Sequence, residues 1–207
     1  MHTSTMSEFD SRARVWDNDK MHLERSSAIA ALLEKKITPD ASFRALEYGA
    51  GTGILSFMLK DKFSEIVLMD SSREMIKVCE EKKEFFSASH VKPLWFDLEH
   101  NDYEGKFDII YCQMVLHHVM NTDLILSKFH SLLNPGGVLA IADLYPEDGS
   151  FHSHTPDAKV HLGFEPDNLI ETLKQKGFKH GEYETCFVVK RPTGVDYPVF
   201  FLSAAKI

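Results

Sequence analysis

The hydrophobic pattern of the central chain switches repeatedly between short apolar runs and amphipathic segments. Apolar runs bounded by turn residues predict strands, and apolar positions spaced three and four residues apart predict helices. The predicted strands are Phe43–Tyr48, Glu65–Asp70, Val91–Phe96, Phe107–Cys112 and Val138–Asp143. The predicted helices are Ile54–Phe63, Ser72–Phe86 and Leu116–Leu133, the last interrupted near Asn121. Strands that alternate with helices pair in parallel, so we expect an α/β sheet with helices on both faces.

The two ends of the chain depart from this rhythm. Residues 7–36 predict two helical pieces, which would form an N-terminal cap over residues 1–37. After a predicted helix at Glu165–Lys176, the strands Tyr183–Arg191 and Tyr197–Lys206 follow with no helix between them, which favours a hairpin. We therefore expect a single domain over 1–207, with its core at 43–143, a candidate lid at 144–164, and the helix and hairpin at 165–207.

Charge and cysteine content exclude several classes of protein. The net charge is −8 and no basic stripe is present, so neither nucleic acid nor an anionic membrane is expected as a partner. The three cysteines are isolated, as in a protein of a reducing compartment. The N-terminal residues lack the apolar core of a signal peptide, and no apolar run is long enough to span a bilayer. These features predict a cytoplasmic protein without membrane insertion.

A glycine run, Gly49-Ala50-Gly51-Thr52-Gly53, joins the first strand to its helix. Such a turn lets the backbone approach a ligand closely, beside the free N–H groups that begin the helix. The GxGxG spacing is a poor match to the dinucleotide pattern GxGxxG, because Ile54 follows the last glycine. About 20 residues later Asp70 ends the second strand, where a ribose-binding carboxylate is expected.

The segments at the strand ends together resemble the class I methyltransferases that use S-adenosylmethionine. The segments are ALEYGAGTG (45–53), LMDSSREM (68–75), WFDLE (95–99), FDIIYCQMVLHHV (107–119) and LLNPGGVLAIAD (132–143). The resemblance is to a small-molecule type, in a bacterial-like branch without an assigned substrate. It implies a Rossmann-like, seven-stranded, mostly parallel sheet with a C-terminal antiparallel hairpin. It also implies S-adenosyl-L-methionine as cofactor and S-adenosyl-L-homocysteine as product.

The same resemblance implies a role for individual residues near the methionine part of the cofactor. Glu47 would lie near its amino group, through water or backbone, and Gly49, Ala50 and Gly51 would pack against it. Gln113 would meet this end through its backbone carbonyl.

Other residues would hold the nucleoside. By resemblance, Asp70 would hold the ribose, Ser71 and Met75 would border the adenine, and Asp97 and Leu98 would contact its edge and ring.

His117 and His118 follow the fourth strand and are the candidates for a general base, since histidine titrates near neutral pH. Both could equally be structural residues at the start of a helix, and His118 is the one expected to border the cofactor. We predict substrate contacts from Trp16 in the cap and from Tyr145, His154 and His161 in the lid. The pair His152 and His154 with a distant histidine could bind a metal, but no thiolate or fixed ligand spacing supports this, and we predict none.

These features favour methyl transfer to a small-molecule acceptor. A lipid- or quinone-type methyltransferase and a non-catalytic regulatory protein that binds S-adenosylmethionine remain alternatives. A nicotinamide-dependent oxidoreductase is disfavoured, because Ile54 breaks the dinucleotide pattern and no Tyr-x-x-x-Lys pair is present. Neither the acceptor nor the oligomeric state follows from the sequence.

Overall fold

The computed structural model describes residues 9–153, 159–191 and 194–207, and these residues form a seven-stranded sheet. The strands are β1 (Arg44–Tyr48), β2 (Glu65–Asp70), β3 (Val91–Trp95), β4 (Phe107–Gln113), β5 (Leu133–Leu144), β6 (Phe178–Lys190) and β7 (Asp196–Lys206). Their order is β3-β2-β1-β4-β5-β7-β6, and β7 runs antiparallel to both of its neighbours. The other pairs are parallel, so the predicted mostly parallel sheet with a terminal hairpin is confirmed.

Residues 9–12 are helical, and five longer α-helices follow them in the described chain. They are α1 (Lys20–Ile37), α2 (Ile54–Met58), α3 (Arg73–Phe85), α4 (Thr122–Leu132) and α5 (Pro166–Gln175). Short 3-10 turns occur at Ala13–Asn18, Lys60–Lys62, Leu116–His118 and Ser150–His152. Side chains at helix starts fix several boundaries: those of Asp19, Ser72 and Asn121 accept N–H groups of the first turns of α1, α3 and α4.

The helices cover both faces of the sheet, as predicted. Alternate residues of β1 point to opposite sides: Ala45 packs with Leu33 of α1 in one core, and Leu46 packs with Phe129 of α4 in the other. The side chains of both cores are buried. Strand β1 lies near the middle of the sheet. The carboxyl ends of β1, β2 and β4 therefore lie side by side at one edge of the sheet, where open α/β sheets bind ligands.

Several predicted boundaries were wrong. The helix expected over Ile54–Phe63 ends at Met58. A 3-10 turn follows, and the residues on either side of it, Leu59 and Phe63, are both buried. Strand β5 begins at Leu133 rather than Val138, because Leu133 pairs with Phe107 before a register shift. Similarly, β6 begins at Phe178, which pairs with Lys206 of β7. Across the described part of the chain, none of the helices has the length and apolar character needed to cross a membrane.

Candidate functional site

A cleft of about 600 Å³, counting its open mouth, lies at the carboxyl ends of β1, β2 and β4. The glycine turn, the start of α3, the segment after β4, helix α1 and the N-terminal segment all contribute to its walls. Its lining residues are Phe9, Trp16, Arg25, Gly49, Ala50, Gly51, Asp70, Ser71, Ser72, Met75, Gln113, Met114, Val115 and His118. The structure thus brings most of the predicted cofactor residues to one cleft.

The glycine turn and Asp70 are joined directly by hydrogen bonds. The backbone N–H of Gly51 donates to Asp70 Oδ2 at 2.8 Å, and that of Ser72 donates to Oδ1 at 2.8 Å. Burial raises the pKa of the Asp70 carboxyl, and these N–H donors oppose that rise. Each carboxylate oxygen has a second lone pair, so the fixed carboxylate can still accept hydroxyl donors from a ligand.

A smaller adjoining pocket extends the cleft past the ends of β1 and β3. It shares Gly49, Asp70 and Ser71 with the cleft and adds Tyr48, Phe96, Asp97, Leu98 and Glu99. Burial alone would raise the pKa of Asp97, but a hydrogen bond and charge from His100 hold it below its usual value. Asp97 and Leu98 therefore lie together beside Asp70, and their contact with a nucleoside stays a prediction.

The N-terminal segment forms one wall of the cleft through Phe9 and Trp16. Trp16 stacks on His22 of α1, with ring centroids 4.2 Å apart. Asp17 accepts a hydrogen bond from Thr52 Oγ1 at 2.5 Å and forms an ion pair with Lys82. The segment is thus attached both to the glycine turn and to α3, which places the predicted cap over the cleft.

Arg25 is a cation of the cleft wall that the sequence did not single out. It is 6% exposed, and desolvation lowers the pKa of its guanidinium to about 10. Its Nε lacks a hydrogen-bond acceptor among the described residues. Its Nη1 donates to the sulfur of Met21 at 3.5 Å. The negative charges of Asp143 and Asp19 partly offset this desolvation, and the Nε without an acceptor favours an additional anionic group from a ligand.

The two candidate bases occupy different environments. His117 is 1% exposed, and its Nδ1 lies 2.6 Å from Oδ1 of the buried Asp143. His118 lines the cleft, and its buried Nδ1 has no hydrogen-bond partner in the described residues. Desolvation, with help from His117 and His152, lowers the pKa of His118 to about 2, so its imidazole is neutral and weakly basic.

Glu47 lies in the core below the cleft rather than among its lining residues. Its side chain is fully buried and accepts a hydrogen bond from Ser56 Oγ, which also lies 2.6 Å from the Tyr111 hydroxyl. Burial raises the pKa of the Glu47 carboxyl to about 8. Its expected proximity to a cofactor's amino group stays a prediction.

The proposed substrate residues of the lid do not line the cleft where the structure describes them. The Tyr145 hydroxyl bonds to Thr185 Oγ1, and His161 bonds through Nε2 to the Val119 carbonyl and through its N–H to that of His117. These bonds fix the loop to the back of the site. His154 lies outside the described residues.

Several cleft residues were missed because their side chains carry no recognisable motif. Met114 follows β4 with φ +52°, a left-handed conformation that is unusual for such a residue, and places Val115 against the glycine turn. Ser72 was seen only as the start of a helix. Arg25 lies within an ordinary amphipathic helix, and only its burial in three dimensions distinguishes it.

Several proteins similar to this chain are named as methyltransferases. The family model described as a methyltransferase domain matches residues 46–139, which include the glycine turn, Asp70 and both histidines after β4. An uncharacterised methyltransferase of Schizosaccharomyces pombe is 29% identical over 152 residues, which cover 66% of this chain and 54% of that protein. A malonyl-[acyl-carrier protein] O-methyltransferase of Ilyobacter polytropus is 31% identical over 129 residues, covering 59% of this chain and 49% of its own.

The fold agrees as well. The N-methyltransferase NodS of Bradyrhizobium japonicum, solved with S-adenosyl-L-homocysteine, superimposes with a TM-score of 0.74 at 17% identity, over 98% of this chain and 97% of that one. Residues 46–139 therefore match a methyltransferase domain, and the fold of the described residues is that of solved methyltransferases. The family's cofactor is S-adenosylmethionine, and the predicted resemblance is confirmed. The chain spans about half the length of the curated relatives named above.

Proposed function

We propose that this methyltransferase transfers a methyl group from S-adenosylmethionine to a small-molecule acceptor. The observation that carries the proposal is the Asp70 carboxylate, held by the glycine turn at the junction of two connected pockets. Activity as a single domain and a cytoplasmic location belong to the same proposal.

The cofactor would lie across both pockets. Its ribose hydroxyls would donate to Asp70, and its adenine would extend toward Asp97 and Leu98 in the smaller pocket. The methionine part would then lie over Gly49 and Gly51, which puts its carboxylate on the side of Arg25. This orientation gives the buried guanidinium, whose charge Asp143 and Asp19 already offset in part, an acceptor for the Nε that no described residue engages.

Methyl transfer from a sulfonium requires an acceptor in line with the methyl group and little water. Positioning alone can contribute roughly 7–11 kcal/mol to lowering such a barrier. Phe9, Trp16 and Met114 supply an apolar wall for this purpose. The low pKa of His118 makes it a poor general base, so we expect it to orient an acceptor as a neutral hydrogen-bonding group, while His117 holds that turn in place.

A small acceptor fits the dimensions and charge of the site. The cleft volume lies within the range of small-molecule pockets, and it has to hold the cofactor as well. The net charge of −8 opposes a nucleic-acid acceptor. Among the similar proteins, a Haemonchus contortus phosphoethanolamine N-methyltransferase was solved with phosphomonomethylethanolamine and S-adenosylhomocysteine, and the Ilyobacter enzyme is named as a malonyl-[acyl-carrier protein] O-methyltransferase.

Calorimetry tests the cofactor site. We expect S-adenosylmethionine to bind one site per chain and Asp70→Ala to weaken binding at least tenfold, because the ribose loses its acceptor. Asp102→Ala is the matched control, since that carboxylate is 92% exposed and lies outside the cleft. Equal binding by wild type and Asp70→Ala, or tight binding of NADH instead, would contradict the proposed site.

A methyl-transfer screen tests catalysis. Small amines, phenols, carboxylic acids and quinols are incubated with the enzyme and S-adenosylmethionine labelled in its methyl group. Label in an acceptor supports the proposal. Tight cofactor binding without transfer to any class would instead favour the regulatory alternative, and transfer only to acceptors in vesicles would favour the lipid-type alternative.

A further inference from the structure

Three histidines from two separate segments meet beside the cleft. His117 and His118 belong to the turn after β4, and His152 belongs to the 3-10 turn after β5. One ring nitrogen of each lies within 4.8 Å of those of the other two. The ring centroids are 4.2 Å apart for His117 and His118, and 5.1 and 5.0 Å from these to His152.

The surroundings of these rings are those of metal ligands. The bond from His117 Nδ1 to Asp143 leaves Nε2 as the lone-pair atom, and a carboxylate behind a histidine is the usual second contact of a metal-bound imidazole. His118 offers a buried Nδ1 that no other described residue engages. One ring nitrogen from each histidine, all within 4.8 Å of one another, would leave one position of a tetrahedron open.

We propose that His117, His118 and His152 bind a divalent transition-metal ion of the zinc type, with its open position toward the cleft. Three imidazoles without a thiolate suit Zn²⁺, and Co²⁺ as its spectroscopic substitute, better than Mg²⁺ or Ca²⁺, which prefer oxygen. Ligand nitrogens at about 2.0–2.1 Å from zinc lie about 3.4 Å apart, so binding would draw the three rings together. The sequence favoured no metal, because it could not show that His152 faces the turn after β4.

Because its ligand His118 lines the cleft, the ion would lie on the wall that faces the acceptor. An oxygen of an acceptor could occupy the open position, where a cation lowers the pKa of a bound hydroxyl. That catalytic role rests on the proposed function. Ion binding itself does not, so the two are measured separately.

The test uses the full chain without a polyhistidine tag, freed of metal by a chelator. Titration with Co²⁺ is followed by the visible absorption of a tetrahedral site, and Zn²⁺ is then added to displace it. We expect one ion per chain. His152→Ala and His118→Ala should each abolish stoichiometric binding, and Asp143→Asn should weaken it roughly 10–100-fold.

Two controls keep the result interpretable. His180→Asn removes an exposed histidine at a left-handed position that asparagine tolerates, and should leave binding unchanged. Circular dichroism establishes that each variant is folded, and His152, which is only partly buried, is the variant least expected to unfold the chain. Absence of tetrahedral bands in the wild type, or bands that persist in folded His152→Ala, would overturn the proposal. Calorimetry with S-adenosylmethionine on the chelated protein reports separately on the cofactor site.

Discussion

Nδ1 of His117 and Oδ1 of Asp143 lie 2.6 Å apart, and the two side chains are 1% and 0% exposed. Asp143 also accepts the N–H groups of Leu144 and His117, so one carboxylate ties the end of β5 to the turn after β4. The pair fixes the segment that carries His118 into the cleft.

Loss of the His117 imidazole should destabilise the chain. His117→Ala leaves the Asp143 carboxylate buried without its side-chain donor, a change that typically costs about 3–5 kcal/mol. Urea unfolding with chelator present measures the free energy of unfolding. His117→Asn keeps an N–H donor and should cost less. A loss below about 1 kcal/mol for His117→Ala would show that Asp143 does not depend on this partner.

Arg25 should discriminate between ligands with and without a carboxylate. Arg25→Met should weaken the binding of S-adenosyl-L-homocysteine at least tenfold, because a buried charge pair contributes several kcal/mol to binding. It should weaken 5′-methylthioadenosine, which lacks the amino-acid part, far less. Arg25→Lys keeps the charge and should give an intermediate loss for the first ligand. Calorimetry with both ligands decides, and an equal loss for both would place the carboxylate elsewhere.

Gly49 and Gly51 provide a matched pair in the glycine turn. Both have positive φ, of +63° and +55°, so alanine at either position costs roughly 1–2 kcal/mol in backbone strain. A Cβ at Gly49 would lie 2.2 Å from Val115 Cγ2, whereas one at Gly51 would meet nothing within 4 Å. Gly49→Ala should therefore lower the melting temperature more, by overlap costing about 1–3 kcal/mol. Equal losses in the two variants would show that Val115 moves aside freely.

Glu47 should make stability depend on pH. Its pKa rises from a usual 4.5 to about 8 on folding, so the folded chain binds the extra proton. The stability that the folded chain gains from this proton is fully present below pH 4.5 and is lost as pH rises toward 8. Without cofactor, Glu47→Gln should therefore exceed wild type in stability by about 3 kcal/mol at pH 7 and match it near pH 4.5. A pH-independent difference would indicate an ordinary carboxylate.

The sequence predicted the sheet and the grouping of the candidate cofactor residues, because both depend on local patterns. Apolar runs of strand length identified five parallel strands, and Gly49, Asp70 and Asp97 each end a strand, so parallel pairing places them at one edge. The early start of β5 and β6 was missed, because Leu133 and Phe178, which pair with Phe107 and Lys206, are separated by glycine-containing segments from the apolar runs that begin at Val138 and Tyr183.

The acceptor side of the site was less predictable, since it depends on how separate loops pack. Tyr145 and His161 have the chemistry of binding residues, but their hydrogen bonds hold the loop behind the cleft. Arg25 and His152 resemble ordinary surface residues in sequence. Their burial or proximity to the cleft is a property of the tertiary structure, which no periodicity records.

The attachment of Asp17 to Thr52 and Lys82 has a kinetic consequence. Phe9 and Trp16 line the same cleft that would admit the nucleoside, so we expect a bound molecule to leave faster when this segment lifts. Breaking these two contacts exposes charged and hydroxyl groups to water at little net cost. We therefore expect the dwell time of the spent cofactor to depend on contacts that lie outside the reacting atoms.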